Sequence, residues 1–489
     1  MSYVGLDIGT TSVRAIAFEV DGTILATSSR DLTTMHPGQG RVEQDPNEIA
    51  THSIEVLHDL AGALDETPRS IGIANQRETV VAWENQTLKP LAMAISWQDR
   101  RGASLCEELI LAGNEDLIRR TTGLTLEPYF SATKYAHLVS ELGISSRNGI
   151  QLGTVDSWLL ANLTSNEQSL TDLTNASRTS LLNISSNEYD EQLGDLFGVP
   201  LDLLPIPLPS NAMFGEITHP SLQPWLGVPI HAVLGDQQAS LFGQGCTAIG
   251  DTKATMGTGT FLLTNSGTKR LGPQTGLITS IAWNLSGAEN TFCLEGSIFT
   301  TASLLDWLIE VIGIASNNES LQELARSVRT SEQVTILPFF LGTGSPWWSK
   351  DTPAVLAGLD SSSSKGQIAR AAFESIALQI AKISEEIGHQ LGSQISSLKL
   401  DGGLSNLDFL CQLIADQTNL DCHASDLAES TAFGAAMMSA VGMGDIQPES
   451  LRTSYSARKT FDPSANRISA KSREKRWNAY LNKLGLNAK

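Results

Sequence analysis

The order of apolar and polar positions at the start of the chain predicts two strands joined by a tight turn, followed by a helix. Residues 4–8 form an apolar run, 9–12 interrupt it with small polar residues, and 13–18 alternate between apolar and polar. Over residues 46–64 the spacing becomes helical, and 70–74 is typical of a short buried strand. Strands and helices then alternate through the first half of the chain, which predicts α/β architecture.

The strand–turn–strand pattern recurs near the middle of the chain. Residues 251–267 again place a Gly-Thr turn between two apolar stretches, as residues 4–18 do. Such a repeat favours two related domains, although a single short repeat also arises by chance. A chain of 489 residues is too long for one hydrophobic core, since cores stop growing at about 250–300 residues. We therefore predict two domains, residues 1–245 and 246–489.

The second half contains a long helix and a basic closing helix. Ile376, Ile380, Ile383 and Ile387 recur at the spacing of one helix face. The Lys/Arg-rich segment 467–483 resembles a membrane or nucleic-acid patch when taken alone. In an acidic chain we interpret it as a solvated helix that closes the fold.

Charge and composition limit the classes of partner. With 33 Lys and Arg against 53 Asp and Glu, the formal net charge is −20, and such a surface repels nucleic acid and anionic lipid. No apolar run approaches the ~20 residues that span a bilayer, and the first residues lack an export signal. We expect a cytoplasmic protein without nucleic-acid or membrane partners, and the sequence leaves open whether it forms a homo-oligomer.

The cysteines and histidines show no metal-binding spacing. The five cysteines lack a CxxC pair, which is typical of reduced thiols in an intracellular protein. The eight histidines show neither HxH nor HExxH. We therefore predict no transition metal held by the protein itself.

Three glycine-rich turns are candidate phosphate-binding loops. They are residues 7–12, 256–260 and 401–405, where glycine lets the backbone approach a phosphate closely and N–H and hydroxyl groups donate to it. The sequence has neither a Walker loop nor a Rossmann GxGxxG, and each turn alone is more often an ordinary hairpin or cap. Asp7 strengthens the first turn, because a carboxylate at a strand end beside such a loop can bind Mg²⁺.

Asp236 is a candidate general base. It follows an apolar strand predicted over residues 230–234, and ligands of α/β domains bind at the carboxyl ends of strands. Phosphoryl transfer to a hydroxyl needs a group that accepts the hydroxyl proton. An Asp after a strand is equally often a helix N-cap, so both interpretations stay open at this point.

Arg77, Glu78, Trp97 and Tyr129 have the chemistry of a site for a small polyol. The guanidinium and carboxylate supply paired donors and acceptors, and the aromatic rings supply an apolar wall. Taken one by one, such residues are more often surface ion pairs and core aromatics.

Together these motifs resemble the FGGY carbohydrate kinases, and within that family the members that phosphorylate glycerol. The resemblance extends from Val4 to Gly444. The strings that carry it most specifically are residues 40–46, 75–79, 96–101, 128–131, 171–179 and 235–244.

The resemblance implies two actin-like, hexokinase-like domains of the ribonuclease H-like α/β class, which close over a central cleft and exclude water. It implies transfer of phosphate from ATP, with Mg²⁺, to glycerol, and Asp236 as the base. The implied polyol-binding residues are Arg77, Glu78, Trp97, Tyr129, Asp236, Gln237 and Phe261. Asp7 is the implied Mg²⁺ ligand, and the implied nucleotide-binding residues are Thr10, Thr11, Arg14, Thr258, Ala302, Asp306, Gly402 and Gly403.

The departures from the family pattern lie on the nucleotide side. Ala302 and Asp306 stand where Gly and Gln are usual, and Leu407 replaces an Asn, with Asn406 adjacent. A carboxylate at 306 near a base or ribose would change the hydrogen-bonding preference, so nucleotide choice stays open. Residues 346–349 are Pro-Trp-Trp-Ser, where the family usually has Pro-Tyr-Trp-Asp. No Gly-Gly-x-Arg regulatory loop precedes Asp236.

Three alternatives to glycerol phosphorylation remain at the level of sequence. One is an FGGY kinase for another small polyol or ketose. The second is a nucleotide-gated module that hydrolyses ATP without a small substrate. The third is a regulatory pseudokinase whose nucleotide site has decayed.

Overall fold

The computed structural model describes residues 1–144, 149–272, 276–427, 429–464 and 467–486. Its strands are β1 (Tyr3–Ile8), β2 (Ser12–Phe18), β3 (Ile24–Asp31), β4 (Met35–Gly38), β5 (Arg41–Gln44), β6 (Ile71–Asn75), β7 (Val80–Glu84), β8 (Lys89–Pro90), β9 (Ala94–Ile95), β10 (Ile150–Thr154), β11 (Leu170–Asp172), β12 (Leu182–Asn183), β13 (Glu188–Tyr189), β14 (Ile206–Leu208), β15 (Gly215–Glu216), β16 (Pro229–Gly235), β17 (Thr252–Met256), β18 (Thr260–Gly267), β19 (Ile278–Asn284), β20 (Asn290–Ile298), β21 (Thr335–Leu337), β22 (Val355–Ala357), β23 (Ser397–Asp401), β24 (Asp421–Ser425) and β25 (Ala457–Phe461).

The α-helices are α1 (Pro46–Ala63), α2 (Ala103–Leu111), α3 (Glu115–Thr122), α4 (Ser131–Glu141), α5 (Val155–Leu163), α6 (Leu173–Ala176), α7 (Glu191–Phe197), α8 (Asp236–Gly243), α9 (Ala302–Glu310), α10 (Asn318–Arg326), α11 (Lys365–Leu391), α12 (Asp408–Thr418), α13 (Ser430–Gly442), α14 (Ser450–Ser454) and α15 (Arg467–Lys483). Short 3-10 helices are found at Leu201–Leu203, Pro220–Trp225 and Gly403–Asn406.

Two sheets with a shared strand order form the centres of the two halves of the molecule. The first has the order β15-β16-β6-β1-β2-β3, and the second β19-β20-β18-β17-β23-β24-β25. In each sheet a hairpin supplies a central strand that pairs in parallel with a later strand, β1 with β6 and β17 with β23. The prediction of a two-domain α/β fold is confirmed, and the Gly-Thr hairpin lies at the equivalent place in both sheets. The division at residues 245 and 246 stays a prediction.

The long helix of the second half is α11. Ser364 caps its start in a reciprocal pair with Gln367, and Gly392 ends it in the left-handed conformation at φ 68°. The four isoleucines of the predicted face are buried in the core of the second half, as expected. The predicted closing helix is α15. It is not solvated on every side, because its own residues Trp477 and Leu481 are buried against the second half of the molecule.

Helix α13 comes late in the chain, yet it packs on the first sheet, against β1, β6 and β16, and on α8. Glycines make this approach close. A Cβ on Gly5 would lie 1.9 Å from the carbonyl oxygen of Ala432, and one on Gly72 would lie 1.9 Å from that of Ala435. Backbone therefore meets backbone at both points, and the second half of the chain completes the core around the first sheet.

Within the described residues, no helix combines the length and the apolar character needed to cross a membrane. The five cysteines are all buried free thiols.

Gly72→Ala is expected to destabilise the molecule. Overpacking costs about 1–3 kcal/mol or more, and here the clash is with backbone that cannot rotate away. We expect a lower Tm in scanning calorimetry and a lower soluble yield. Gly62→Ala in α1 is the matched control, because nothing lies within 4 Å of its Cβ position and alanine is favoured over glycine in a helix by about 0.5–1 kcal/mol. An unchanged Tm for Gly72→Ala would mean that α13 shifts off the sheet without cost.

Candidate active site

The turn between β1 and β2 is held by side chains from neighbouring strands. The amide of Gln44 donates to the carbonyl oxygen of Thr10 at 2.7 Å, and the amide of Gln76 donates to Gln44 at 2.8 Å. The Thr10 hydroxyl accepts the indole N–H of Trp97 at 2.9 Å. Thr11, next in the turn, is exposed. The first candidate phosphate loop is thus tied directly to the aromatic residue predicted for the polyol site.

Arg77 and Glu78 follow β6 and belong to a buried ionic network. Both are almost fully buried, so the interpretation of a surface ion pair is wrong. Glu295, on β20 of the second sheet, bonds Arg77 Nη1 at 2.7 Å and also accepts from Arg178 at 3.2 Å. Arg178 in turn donates to Glu78, whose backbone has a left-handed φ of 62°. Two arginines and two carboxylates therefore lock one another beneath the cleft.

Glu295 is the carboxylate that keeps this network ionised. Burial alone would raise the pKa of its carboxyl group, but Arg178 and Arg77 together lower that pKa to about 2. For Glu78 the balance is the opposite, because burial raises its pKa by more than the arginines lower it. Glu295, a residue of the second sheet, thus contacts both guanidinium groups, Arg77 at 2.7 Å and Arg178 at 3.2 Å.

The aromatic wall is formed by Trp97, Tyr129 and Phe261. The ring of Trp97 meets that of Tyr129 edge-on at 5.7 Å and that of Phe261 at 6.5 Å between centroids. Lys134 fixes the Tyr129 segment, because its ammonium donates to the carbonyl oxygen of Tyr129 at 2.6 Å and to those of the two flanking residues. Tyr129 belongs to a small buried core cluster against which Trp97 packs, and both rings also line a cavity.

Asp236 is the first residue of α8, and Gly235 is the N-cap, so the N-cap interpretation of Asp236 is wrong. Its Oδ1 accepts the backbone N–H of Gln237 at 2.7 Å and lies 3.3 Å from Nε of Arg77. Its side chain remains 27% exposed, and its Oδ2 accepts a long hydrogen bond from Nε2 of Gln237 at 3.5 Å. The carboxylate is thus oriented by Gln237 and Arg77 and is still partly exposed.

One cavity brings these residues together. Its volume is about 40 Å³, enough for roughly three water molecules. The lining residues are Thr10, Arg77, Glu78, Trp97, Tyr129, Asp236, Gln237 and Phe261. All residues predicted for the polyol site therefore share a single small cavity, and their roles toward a substrate stay predictions.

The turn between β17 and β18 rests on the start of α9. The carbonyl oxygen of Gly257 accepts from the N–H of Ala302 at 3.1 Å and from the hydroxyl of Thr301 at 2.8 Å. That of Thr258 accepts from the N–H of Thr301 at 2.9 Å. The first N–H groups of α9 are thus occupied by this turn, and the side chain of Thr258 is exposed.

The third turn lies against the second. Gly402 has a φ of 81°, and a Cβ there would lie 2.5 Å from the carbonyl oxygen of Met256. Gly403 is exposed, with open space where a Cβ would stand. Across the cleft, Arg14 pairs with Glu429 at 2.9 Å, just before α13. Arg14 is therefore already paired, although it is still partly exposed.

The residues that depart from the family pattern differ in their placement. Ala302 begins α9, and Asp306 lies one turn further on with its side chain largely exposed. Partial burial, and to a lesser extent the charge of Glu310, raise the pKa of the Asp306 carboxyl group. Leu407 is buried in the core of the second half, while Asn406 is exposed at the end of a 3-10 turn. The exposed amide next to the Asp-Gly-Gly turn therefore belongs to Asn406.

Asp7 fits a magnesium ion that arrives with a nucleotide. Burial, and then the charge of Asp236, raise the pKa of Asp7 to about 7, against a smaller effect of Arg14. Mg²⁺ commonly binds one or two carboxylates together with phosphate oxygens and water, and a carboxylate in β1 next to the first turn suits that role. No group of three or more His, Cys, Asp or Glu side chains suited to a metal occurs in the described part of the chain.

Sequence reasoning does not identify Arg178 or Glu295 as site residues, although Arg178 lies in the string 171–179 that resembles the family. Glu295 is the charged residue of β20, a strand that is buried almost throughout, and a charge buried in a sheet needs a partner. That charge is the signal that points to Glu295. Its partners lie more than a hundred residues away, and only the folded chain shows them.

A repeated sheet with a Gly-Thr hairpin in each copy, and a cavity beside an accessible aspartate, define the class of two-domain α/β phosphotransferases. Family models agree: residues 2–243 match the N-terminal domain and residues 252–443 the C-terminal domain of the FGGY family of carbohydrate kinases. The chain belongs to the FGGY family of carbohydrate kinases.

Similar proteins cover the chain along its length. It is 37% identical to a glycerol kinase of Acinetobacter baylyi, over 100% of both chains, and 40% identical to one of Geobacter sp., over 96% of this chain and 95% of the relative. Among solved structures, glycerol kinase of Plasmodium falciparum with ADP has a TM-score of 0.92 at 28% identity, covering 99% of this chain and 98% of that one. A xylulose kinase of Lactobacillus acidophilus, at 19% identity, shares the fold, with a TM-score of 0.89 and 99% and 98% coverage.

Glu295→Gln is expected to damage both stability and the acceptor site. Removing one partner of a buried ion pair costs about 3–5 kcal/mol, because the other charges stay buried and uncompensated. With Glu295 neutral, Arg77 shifts toward Asp236, so we expect a higher KM for the acceptor and a lower kcat. Both are measured by coupled ADP release.

Glu374→Gln is the matched control for Glu295→Gln. Glu374 is also buried and pairs with Arg370 at 2.9 Å, but it lies on α11. The Glu374→Gln protein should have a lower free energy of unfolding, while its KM and kcat stay close to those of the wild type. If Glu295→Gln behaved in the same way, the network would have no part in positioning Arg77.

Proposed function

We propose that this kinase transfers the γ-phosphate of ATP to glycerol, with glycerol 3-phosphate and ADP as products. The observation that carries the proposal is the single small cavity lined by every residue predicted for the polyol. Full-length similarity to proteins named glycerol kinase supports the same acceptor. We further propose a cytoplasmic location, with which the buried free thiols are consistent.

In this mechanism Asp236 accepts the proton of the attacking hydroxyl. As that oxygen bonds to the γ-phosphorus, the bond from the γ-phosphorus to the bridging oxygen breaks and ADP leaves. Arg77 and the N–H of Gln237 hold Oδ1 of Asp236, and Oδ2, whose contact with Nε2 of Gln237 is long at 3.5 Å, would accept the hydroxyl proton. The Gly-Thr turns would donate to the phosphates from the two sheets.

Mg²⁺ would be held by Asp7 together with the nucleotide phosphates. When bound, it would neutralise charge on the β- and γ-phosphate oxygens. The chain's own residues would then orient the acceptor and keep water out of the cavity, since Trp97 covers the first turn through its bond to Thr10.

The aromatic wall favours a three-carbon acceptor over a larger sugar. Trp97 packs edge-on against Tyr129 and Phe261, and a longer carbon chain would need space that these rings occupy. Trp97 is fixed at its indole N–H, so moving it would break a hydrogen bond.

ADP release by the purified protein with Mg-ATP tests the acceptor. We expect strong stimulation by glycerol and little by dihydroxyacetone, erythritol, xylulose or ribulose, with a no-acceptor sample as the baseline. Stimulation by a ketose alone would keep phosphotransfer and overturn glycerol. Equal release without any acceptor would favour nucleotide hydrolysis, and silence with every acceptor and nucleotide would favour a pseudokinase.

Asp236→Asn is expected to lower kcat by ~10²-fold or more, because the amide cannot accept the hydroxyl proton. ATP affinity, measured by calorimetric titration, should stay close to wild type. Asp202→Asn, a surface position in a 3-10 turn, serves as the control and should leave kcat unchanged. Wild-type turnover by the Asp236→Asn protein would remove this residue from the mechanism.

A further inference from the structure

Lys253 is a fully buried lysine beside the cavity to which the proposed mechanism gives no role. It lies on β17, the first strand of the second sheet. Its ammonium donates to Oε1 of Gln237 at 2.5 Å and to the hydroxyl of Thr255 at 2.6 Å. Gln237 is the second residue of α8 and lines the cavity, so this lysine reaches from the second sheet to an acceptor-site residue of the first half.

The chemistry of this contact determines how the Gln237 amide is turned. An ammonium has three N–H donors and no acceptor, so only the amide oxygen can face it. The NH₂ group must then point the other way, and Nε2 indeed lies 3.5 Å from Oδ2 of Asp236. Burial lowers the pKa of Lys253 and is the largest influence on it. The nearby carboxylates of Asp401 and Asp236 act in the opposite direction and favour the charged form.

We propose that Lys253 is a positioning residue for the phosphoryl acceptor: it holds the Gln237 amide so that its NH₂ group faces the cavity and Asp236. The acceptor must then place a hydroxyl oxygen, as hydrogen-bond acceptor, against Gln237 while another hydroxyl donates to Asp236. Two neighbouring hydroxyls in this donor and acceptor arrangement are the chemistry of a vicinal diol. This inference rests on the proposed function for the identity of the acceptor.

A double-mutant cycle tests whether Lys253 acts through Gln237. We expect Lys253→Met and Gln237→Ala each to raise the KM for glycerol by ~10-fold, with the KM for ATP unchanged. Because both changes remove the same amide orientation, Lys253→Met should have no further effect on KM in the Gln237→Ala protein. The Tm values of the two single variants and the double variant provide a measurement that does not depend on activity. The decrease in Tm of the double variant should be smaller than the sum of the two single decreases. Additive effects in KM and in Tm would overturn the proposal.

Lys399→Met is the matched control. Lys399 is the residue paired with Lys253 on the neighbouring strand β23, and its ammonium donates to the carbonyl oxygen of Gln244 at 2.6 Å. Its loss removes a lysine from the same sheet without touching Gln237. We expect a lower Tm and an unchanged KM for glycerol; a raised KM would mean that any lysine lost here disturbs the cavity.

Gln237→Glu covers the case in which Lys253→Met fails to fold. A carboxylate keeps an oxygen for Lys253, so the fold should be retained, but the second oxygen replaces the NH₂ donor and lies close to Oδ2 of Asp236. We expect the KM for glycerol to rise and the KM for 1,3-propanediol, which lacks the vicinal hydroxyl, to change much less. An unchanged KM for glycerol overturns the proposal.

Wild-type ADP release is measured first, so that the two proposals fail separately. If glycerol is inactive and another acceptor is used, glycerol is wrong and the cycle is run with that acceptor. If glycerol is active but the cycle is additive, the function stands and Lys253 has no positioning role. If every acceptor is inactive, the Tm cycle alone decides whether Lys253 holds Gln237.

Discussion

Two guanidinium groups, those of Arg77 and Arg178, lie close together at the base of the cavity, where their mutual repulsion is little screened by water. Glu295 compensates both of them, and it comes from the second sheet, whereas the arginines come from the first half of the chain. The position of Arg77 depends on this pair, and the orientation of Asp236 depends in turn on Arg77. The two halves are thus joined by charge at the place where the proposed chemistry occurs.

The residues that line the cavity are held in place by other polar side chains behind them. Some side-chain amides and lysines do not line the cavity, yet they fix the orientation of the residues that would contact the substrate. Gln44 and Gln76 hold the first turn, and Lys134 holds the backbone around Tyr129. The residues that face the cavity are therefore a small part of the polar structure that supports it, which is typical of preorganised sites.

Much of this was accessible from the sequence. Short strings of fixed order predict the acceptor residues, because Arg77, Trp97 and Asp236 each sit in a recognisable local motif. The repeat of a Gly-Thr hairpin predicts the duplicated sheet, since strand pairing within a hairpin is local. The ionic network escapes the sequence, because Arg178 and Glu295 are brought together by packing between distant segments. The amount by which α15 is buried was also missed, since its composition is basic and its apolar residues are few.

Helix α13 has a consequence for how the molecule is made. Its residues, 430–442, cover the face of the first sheet that contains Gly5 and Gly72, so that face stays open until most of the chain has left the ribosome. Domains usually fold as units in the order of synthesis, but the first sheet here must wait for a segment from the far end of the sequence. The two halves recognised by family models therefore share one packed core, and the N-terminal half alone lacks a segment that covers its sheet.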